Sequence, residues 1–372
     1  MLRKRIICSI VSLIVGLAAI EFFLWSLMPV QLHEVTHLDY RVSENRYLVY
    51  EPMPLAGEFN SDGLRDHEYQ PAKPRDVYRI VVIGDSLAFG LKVTLEETYA
   101  KRLEKKLNER EGVAKKYEVI NLGVPGYRIS QIVERFKEKG LKYNPDLVIY
   151  GYWLDDPVDN GVDVFFLSPT NRIVDKKIKS VENKNILQRR ITQVLLRSQI
   201  VRRSIVVLKE KGYRDEKKLT PFFAEGHAKH LDPPIFKMYK QYLLNYERGV
   251  YKDLRCCESY YRYYVRYNDF VLFNNGLKEL SEICRGRNIK CLLLMTPVLY
   301  DHREGEYNWE GLHRFVRDIV NYYLIPTVDL TEVFEKYRAD EVGVGDNEHP
   351  NALGNKIVAD QLFQFLVDHE KI

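Results

Sequence analysis

Cysteine is scarce in this sequence, and so are the spacings that would hold a metal ion. There are five cysteines in 372 residues, and no CxxC or cysteine–histidine pair has the spacing of a zinc site. Glycine (21) and proline (15) are too few for a collagen-like or low-complexity chain. The net charge of +4 gives no basis for nucleic-acid binding. These shortages leave a globular protein of ordinary composition, with no predicted cofactor and no predicted nucleic-acid partner.

Only one apolar run is long enough for a bilayer, which excludes a multi-span membrane protein. Residues 6–30 are almost entirely apolar, and a helix needs about 20 residues to span a bilayer. The Arg-Lys-Arg at 3–5 predicts a cytoplasmic N-terminus and an extracytoplasmic, periplasmic remainder. A cleaved signal peptide, with Gly16 and Ala18 near the cut, is the alternative. We favour an uncleaved single-pass anchor in the cytoplasmic membrane, because cleavage would leave residues 20–30 as an apolar end.

The pair Cys284 and Cys291 has two interpretations. In an oxidising compartment a disulfide would join a helix end to the following strand through these residues. Otherwise the two are buried thiols. The sequence leaves both open.

From residue 78 onward the chain alternates between strands and helices. Such alternation predicts an α/β fold with a parallel sheet covered on both faces, and ligands of these sheets bind beyond the carboxyl ends of the strands. The predicted strands are 79–84, 118–121, 146–150, 289–295 and 325–330, and the predicted helices are 96–110, 129–139, 270–285, 309–322 and 351–367.

Between the third and fourth predicted strands lie about 110 extra residues (157–266), more than a simple crossover needs. Residues 171–218 carry 15 Lys/Arg against 5 Asp/Glu, and apolar residues recur at helical spacing over 187–208. This pattern fits an ordinary solvated helix, or a basic face for anionic lipid or an acidic polymer. The tyrosines in 259–267 pack in a core or stack on sugars. We interpret the segment as an inserted helical lid.

Three short motifs carry chemistry. In GDSLAFG (84–90), Ser86 follows a strand at a predicted helix N-terminus, where backbone N–H groups stabilise an oxyanion. In DNEHPNALG (346–354), Asp346 precedes His349 by three residues, so that its carboxylate reaches the imidazole of a general base. In NLGVPGY (121–127), glycine lets the backbone approach a reacting carbonyl.

These motifs, in this order, resemble those of the SGNH (GDSL-type) hydrolase family. The lead-in NSDGLRD (60–66) resembles that of its membrane-anchored bacterial members. The resemblance implies a flavodoxin-like three-layer sandwich with a five-stranded parallel sheet. By position, Ser86 would be the nucleophile, His349 the base and Asp346 its orienter. The N–H groups of Ser86 and Gly126 would form the oxyanion hole.

One position departs from the family pattern. The family has an asparagine after the third strand, whose amide donates to the oxyanion, whereas GYWLDDP (151–157) places Asp155 there. An ionised carboxylate accepts hydrogen bonds and cannot donate them. Asp155 is therefore a questionable third member of the oxyanion hole. Either it is protonated, or it points away, or the activity is changed or lost.

Another short motif, the HEVTH string (33–37), matches the H-E-x-x-H pattern of zinc proteases. It lies directly after the apolar run and has no strand-bearing lobe before it to supply a third ligand. We therefore predict no metal site.

The expected function is an externally facing serine esterase. Its substrate would be an O-acetyl or other O-acyl group on an envelope or exported glycan, or a lipid ester. Acyl transfer onto a polysaccharide and a catalytically silent glycan-binding module are the alternatives, and the oligomeric state is left open. The predicted divisions are a membrane anchor (1–30), a lead-in segment (31–77), a hydrolase domain (78–156 and 267–372) and the inserted lid (157–266).

Overall fold

The computed structural model describes most of the chain outside the N-terminal segment and the insertion. The described residues are Gly16, 39–45, 47–48, 50–110, 115–157, 166–167, 173–174, 231–248, 250, 260–261, 263–299, 307 and 309–369. Apart from Gly16, the expected membrane anchor (1–30) lies outside them, as do the HEVTH string (33–37) and the basic segment 187–208. Within the described part of the chain, no helix combines the length and apolar content needed to cross a membrane.

The chain divides into two compact units. One comprises residues 1–37 and 161–227, and the other comprises 38–160 and 228–372. Nearly all described residues belong to the second unit. Residues 228–266, which the sequence assigns to the inserted lid, therefore group with the unit that carries the sheet.

The second unit is built on a five-stranded parallel sheet, which confirms the predicted α/β fold. In spatial order its strands are β4, β3, β5, β8 and β9, so the chain order of the five is 2-1-3-4-5, the flavodoxin-like arrangement. The two other described pairs, β1 with β2 and β6 with β7, are antiparallel. The strands are β1 (Tyr40–Val42), β2 (Tyr50–Pro52), β3 (Val77–Gly84), β4 (Lys116–Asn121), β5 (Leu147–Tyr152), β6 (Phe166–Leu167), β7 (Ile173–Val174), β8 (Lys290–Met295) and β9 (Thr327–Asp329).

Both faces of the sheet are covered, as the apolar sequence of its inner strand β3 requires. In β3, Ile80 and Val82 belong to one hydrophobic cluster with buried side chains of two helices, α2 (Tyr99–Glu109) and α9 (Ala352–His369). The intervening Val81 and Ile83 are equally buried and point to the opposite face, because side chains alternate along a strand. On that opposite face, α3 (Ile129–Arg135) packs against α5 (Tyr267–Gly286). The helices of eight residues or more are α2 (Tyr99–Glu109), α4 (Pro233–Glu247), α5 (Tyr267–Gly286), α6 (Glu310–Tyr322) and α9 (Ala352–His369); the shorter ones are α1 (Ser86–Phe89), α3 (Ile129–Arg135), α7 (Thr331–Phe334) and α8 (Ala339–Val342).

Two predicted helices have different ends in the structure. The helix expected from residue 96 begins at Tyr99, because Thr98 caps its N-terminus and a separate 3₁₀ turn covers Leu95–Glu97. The helix expected to continue to residue 139 is α-helical only to Arg135 and ends in a π turn at Phe136–Gly140. A capping side chain therefore sets the first of these ends, and a change of helix type sets the second.

Four tyrosines of α4 and the Tyr-rich segment are core residues. Tyr239, Tyr242, Tyr261 and Tyr264 are each at most 2% exposed. Tyr239 stacks on the ring of Phe270 with centroids 4.3 Å apart. Buried rings of this kind do not offer a face to a sugar, so the core-packing interpretation holds for these four.

Cys284 at the end of α5 and Cys291 in β8 are free thiols in the structure. Two main effects raise the pKa of the Cys291 thiol well above its usual value. The larger is the hydrogen bond to Cys284, and the smaller is burial. The two side chains are thus adjacent without being bonded covalently. Of the two sequence interpretations, the structure shows the buried-thiol form.

Candidate active site

Ser86 lies where β3, an inner strand of the sheet, is followed by a short helix. β3 ends at Gly84, and Asp85 caps α1 by accepting a hydrogen bond from the N–H of Leu87 at 2.9 Å. The turn is tight, since a Cβ on Gly84 would lie 2.7 Å from the Cβ of Ala88 and 2.8 Å from the carbonyl oxygen of Gly151. Because β3 pairs with both β4 and β5, Ser86 lies at the point where the strand order reverses. Ligands of open α/β sheets bind in the crevice at this point.

His349 and Asp346 reach Ser86 from the loop before α9. Nε2 of His349 lies 2.8 Å from Oγ of Ser86, and Nδ1 lies 2.8 Å from Oδ2 of Asp346. The other carboxylate oxygen of Asp346 accepts the N–H of His349 at 2.9 Å. An ionised carboxylate only accepts, so the ring proton belongs on Nδ1, and Nε2 is left to accept the hydroxyl proton of Ser86. This row has the connectivity that nucleophilic catalysis by a serine requires.

Lys92 is an additional partner of this row. Its Nζ lies 2.9 Å from Oδ2 of Asp346, and its backbone has a φ of 67°. Partial burial raises the pKa of Asp346, but the N–H of His349 and the ammonium of Lys92 outweigh burial and hold it below its ordinary value. Asp346 is therefore ionised at neutral pH. No sequence signal pointed to Lys92, because its partner is 254 residues away.

The glycine loop is tied to the serine helix. Asn121 donates from Nδ2 to the carbonyl of Ala88 at 2.7 Å and accepts the N–H of Gly123 at 2.9 Å. A Cβ on Gly123 would lie 2.3 Å from the backbone nitrogen of Phe89, so only glycine fits. Within the described part of the chain, the N–H groups of Ser86 and Gly126 donate no hydrogen bond. Both are available to a ligand oxygen.

Asp155 does not stand alone after β5. Its carboxylate forms an ion pair with the guanidinium of Arg128, the residue immediately before α3. Burial lowers the pKa of Arg128, but Asp155, Asp156 and Asp85 raise it above its ordinary value. In this geometry the side chain of Asp155 is engaged in an ion pair with Arg128.

Asp85, Asp155 and Asp156 form a carboxylate cluster in which one oxygen of each lies within 4.8 Å of the others. Burial raises the pKa of Asp85 to about 7, and the charge of Asp155 contributes to this rise as a second, smaller cause. Burial and the charges of Asp85 and Asp155 raise the pKa of Asp156 well above its usual value. Asp156 accepts from the hydroxyl of Tyr150 at 2.5 Å. Spacing alone would allow a cation, but Arg128 and bound protons already offset the negative charge of the cluster.

An aromatic wall flanks the histidine loop. The hydroxyl of Tyr260 donates to Oε1 of Glu348 at 3.0 Å, directly beside His349. The Tyr260 ring packs edge-on against Trp153 and Trp309. Burial raises the pKa of Glu348 above its ordinary value. These contacts fix Glu348, and with it the loop that carries His349.

The comparisons with known proteins give a fold-level similarity only. A scan against protein-family models finds no match, and a search of curated proteins finds none either. Among solved structures, the chain is similar to the acetyl xylan esterase AlAXEase, at 16% identity and a TM-score of 0.40 over 77% of this chain and 98% of that chain. It is similar to TesA at 12% identity and a TM-score of 0.40, over 78% and 98%. It is also similar to Axe2, an acetylxylan esterase from Geobacillus stearothermophilus, at 13% identity and 0.40, over 77% and 93%.

Proposed function

We propose that this protein is a carboxylic ester hydrolase that forms an acyl-enzyme on Ser86. The observation that carries the proposal is the row Ser86–His349–Asp346. Each ring nitrogen of His349 lies 2.8 Å from an oxygen of one of the other two side chains. A serine hydroxyl is a weak nucleophile, and an adjacent oriented imidazole is the means by which it is activated. The site also lies in the crevice where ligands of this type of sheet bind.

The geometry translates into two half-reactions. Oγ of Ser86 attacks the ester carbonyl carbon while Nε2 of His349 takes the hydroxyl proton, and Asp346 stabilises the imidazolium. The N–H groups of Ser86 and Gly126 receive the oxyanion. His349 then returns the proton to the departing alcohol, which leaves an acyl group on Ser86. Water, activated by the same imidazole, releases the acid in the second half.

The substrate and location in the proposal come from the sequence. The apolar run 6–30, preceded by three basic residues, supports a single-pass anchor with the site on the extracytoplasmic, periplasmic side. An anchored enzyme meets O-acyl groups of envelope or exported glycans, and it meets lipid esters. We therefore propose these two ester classes as substrates, with no cofactor.

The first experiment assays the full chain in detergent with p-nitrophenyl acetate and octanoate, beside Ser86→Ala. We expect the substitution to lower kcat/KM by at least about 10⁴-fold, because it removes the nucleophile. The acetate-to-octanoate ratio separates glycan deacylation from lipid ester hydrolysis. If the wild-type chain shows no turnover that depends on Ser86, the hydrolase proposal is wrong, and acyl transfer or glycan binding takes its place.

A further inference from the structure

A buried hydrogen bond joins Tyr50 of the lead-in segment to the glycine loop. Tyr50, in β2, is 4% exposed, and its hydroxyl donates to the carbonyl oxygen of Pro125 at 2.6 Å. Burial raises the pKa of Tyr50 well above its usual value, so the hydroxyl keeps the proton that it donates. We propose that Tyr50 is a positioning residue that aims the N–H of Gly126 at the oxyanion. This inference rests on the proposed esterase function.

The carbonyl of Pro125 and the N–H of Gly126 belong to the same peptide group. A peptide group is planar, and in the trans form its C=O and N–H point in opposite directions. A hydrogen bond that fixes the carbonyl therefore fixes the direction of the N–H as well. Donation to the carbonyl also polarises the group and makes its N–H a stronger donor.

The loop sequence favours one direction of this peptide but does not lock it. The peptide rotates about ψ of Pro125 and φ of Gly126, and the proline ring restricts only its own φ. Gly126 has a φ of 76°, and glycine adopts positive and negative φ with similar ease. The N–H of Tyr127 also donates to the carbonyl of Val124 at 3.1 Å, so residues 124–127 form a β-turn with proline and a positive-φ glycine at its centre, which favours the observed orientation. The hydroxyl of Tyr50 adds a buried contact that holds the central peptide of this turn in that orientation.

Tyr50 is itself held in position. The hydroxyl of Tyr127 donates to the backbone carbonyl of Tyr50, and the two rings meet edge to face with centroids 5.1 Å apart. At the other end of the glycine loop, the N–H of Asn121 donates to Asp66 at 2.7 Å. Asp66 is buried and ion-paired with Lys101. The lead-in segment thus holds both ends of the loop that supplies Gly126.

The test replaces Tyr50 by phenylalanine in the full chain, which removes the hydroxyl and keeps the ring. We expect kcat and kcat/KM for p-nitrophenyl acetate to fall together by roughly 10- to 100-fold, because a transition-state contact is weakened, where outright removal of an oxyanion donor costs about 10²–10³-fold. The matched control is Tyr239→Phe, which removes a hydroxyl bonded to the carbonyl of Val265 at 2.8 Å. It should stay within about twofold of wild type. End-point labelling of Ser86 with a fluorophosphonate counts the folded sites in each sample.

The outcomes separate the inference from the function on which it rests. A wild-type chain without Ser86-dependent turnover overturns the function, and the inference with it. An active wild type whose Tyr50→Phe variant keeps its kcat overturns the inference alone. Equal losses in Tyr50→Phe and Tyr239→Phe also overturn it, since they would reflect general destabilisation. A loss confined to Tyr50→Phe supports it.

Discussion

Asp155 is a residue whose charge bears directly on the proposed chemistry. An ionised carboxylate beside an oxyanion repels it, whereas the asparagine of the family that the sequence resembles would donate to it. In this chain Arg128 forms an ion pair with Asp155 and offsets that charge. The sequence raised the difficulty that a carboxylate at this position would repel an oxyanion. The ion pair reduces that repulsion without requiring a protonated Asp155. Under the proposed function, Arg128 would support catalysis through the charge that it balances.

Removing Arg128 should therefore harm catalysis more than removing the pair. Arg128→Gln leaves the charge of Asp155 uncompensated near the developing oxyanion, and we expect kcat/KM to fall about 100-fold, a loss similar to that of one oxyanion donor. In the double variant Arg128→Gln/Asp155→Asn the charge is gone, and most of the loss should be recovered. A double-mutant cycle on p-nitrophenyl acetate hydrolysis measures this coupling. Additive effects of the two substitutions would show that Asp155 and Arg128 act independently.

The sequence predicted part of this site. Ser86, Gly126 and Asp155 each follow a strand of the sheet, and Asp346 and His349 precede the last helix, so a parallel sheet was expected to bring them to one edge. The structure joins Ser86, His349 and Asp346 by hydrogen bonds, while their catalytic roles stay predictions. Arg128 and Lys92 were not found, because a pairing set by tertiary contact leaves no local sequence pattern.

At the level of elements, long periodic segments were predictable and short ones were not. All five strands of the parallel sheet and its main helices appear near their expected positions. The three-residue strands β1 and β2 were missed, since so few residues show no period. Yet this hairpin carries Tyr50, and the segment after it carries Arg65. The role of the hairpin and of the segment after it depends on side chains that contact loops distant in the sequence.

Arg65 anchors the helix that carries Ser86. Its guanidinium donates to the carbonyls of Phe89, Gly90 and Val93, at 3.1, 2.7 and 2.6 Å. Arg65→Lys keeps the charge but lacks the planar fork that serves three acceptors, so buried carbonyls lose their partners. We expect the free energy of unfolding to fall by about 2–3 kcal/mol, measured by urea denaturation.

The control for Arg65 is an arginine at the surface. Arg338 makes an exposed ion pair with Asp340. Exposed pairs contribute about 0–1 kcal/mol, so Arg338→Lys should change the free energy of unfolding by less than about 0.5 kcal/mol. Similar losses in the two variants would mean that the contacts of Arg65 with the serine helix contribute nothing particular.

At the scale of the whole molecule, the carboxylates of the site couple stability to pH in two separate windows. The pKa of Asp85 is raised from 3.8 to about 7, so between these values the folded chain holds a proton that the unfolded chain has released. This stabilisation is complete below the unfolded pKa and is lost as the pH rises through about 7. Asp346 has a lowered pKa, and its stabilisation is lost only as the pH falls below 3.8.

We therefore expect the free energy of unfolding to decrease as the pH rises from about 4.5 to about 7.5, measured by urea denaturation at a series of pH values. Asp155→Asn should flatten this slope, because the charge of Asp155 raises the pKa of both Asp85 and Asp156. Asp360→Asn is the control: the pKa of Asp360 is lowered, so its window lies at more acidic pH and the slope should not change. A slope of opposite sign would contradict proton binding by the carboxylate cluster in the folded chain, and a slope that Asp155→Asn leaves intact would contradict the contribution of the Asp155 charge.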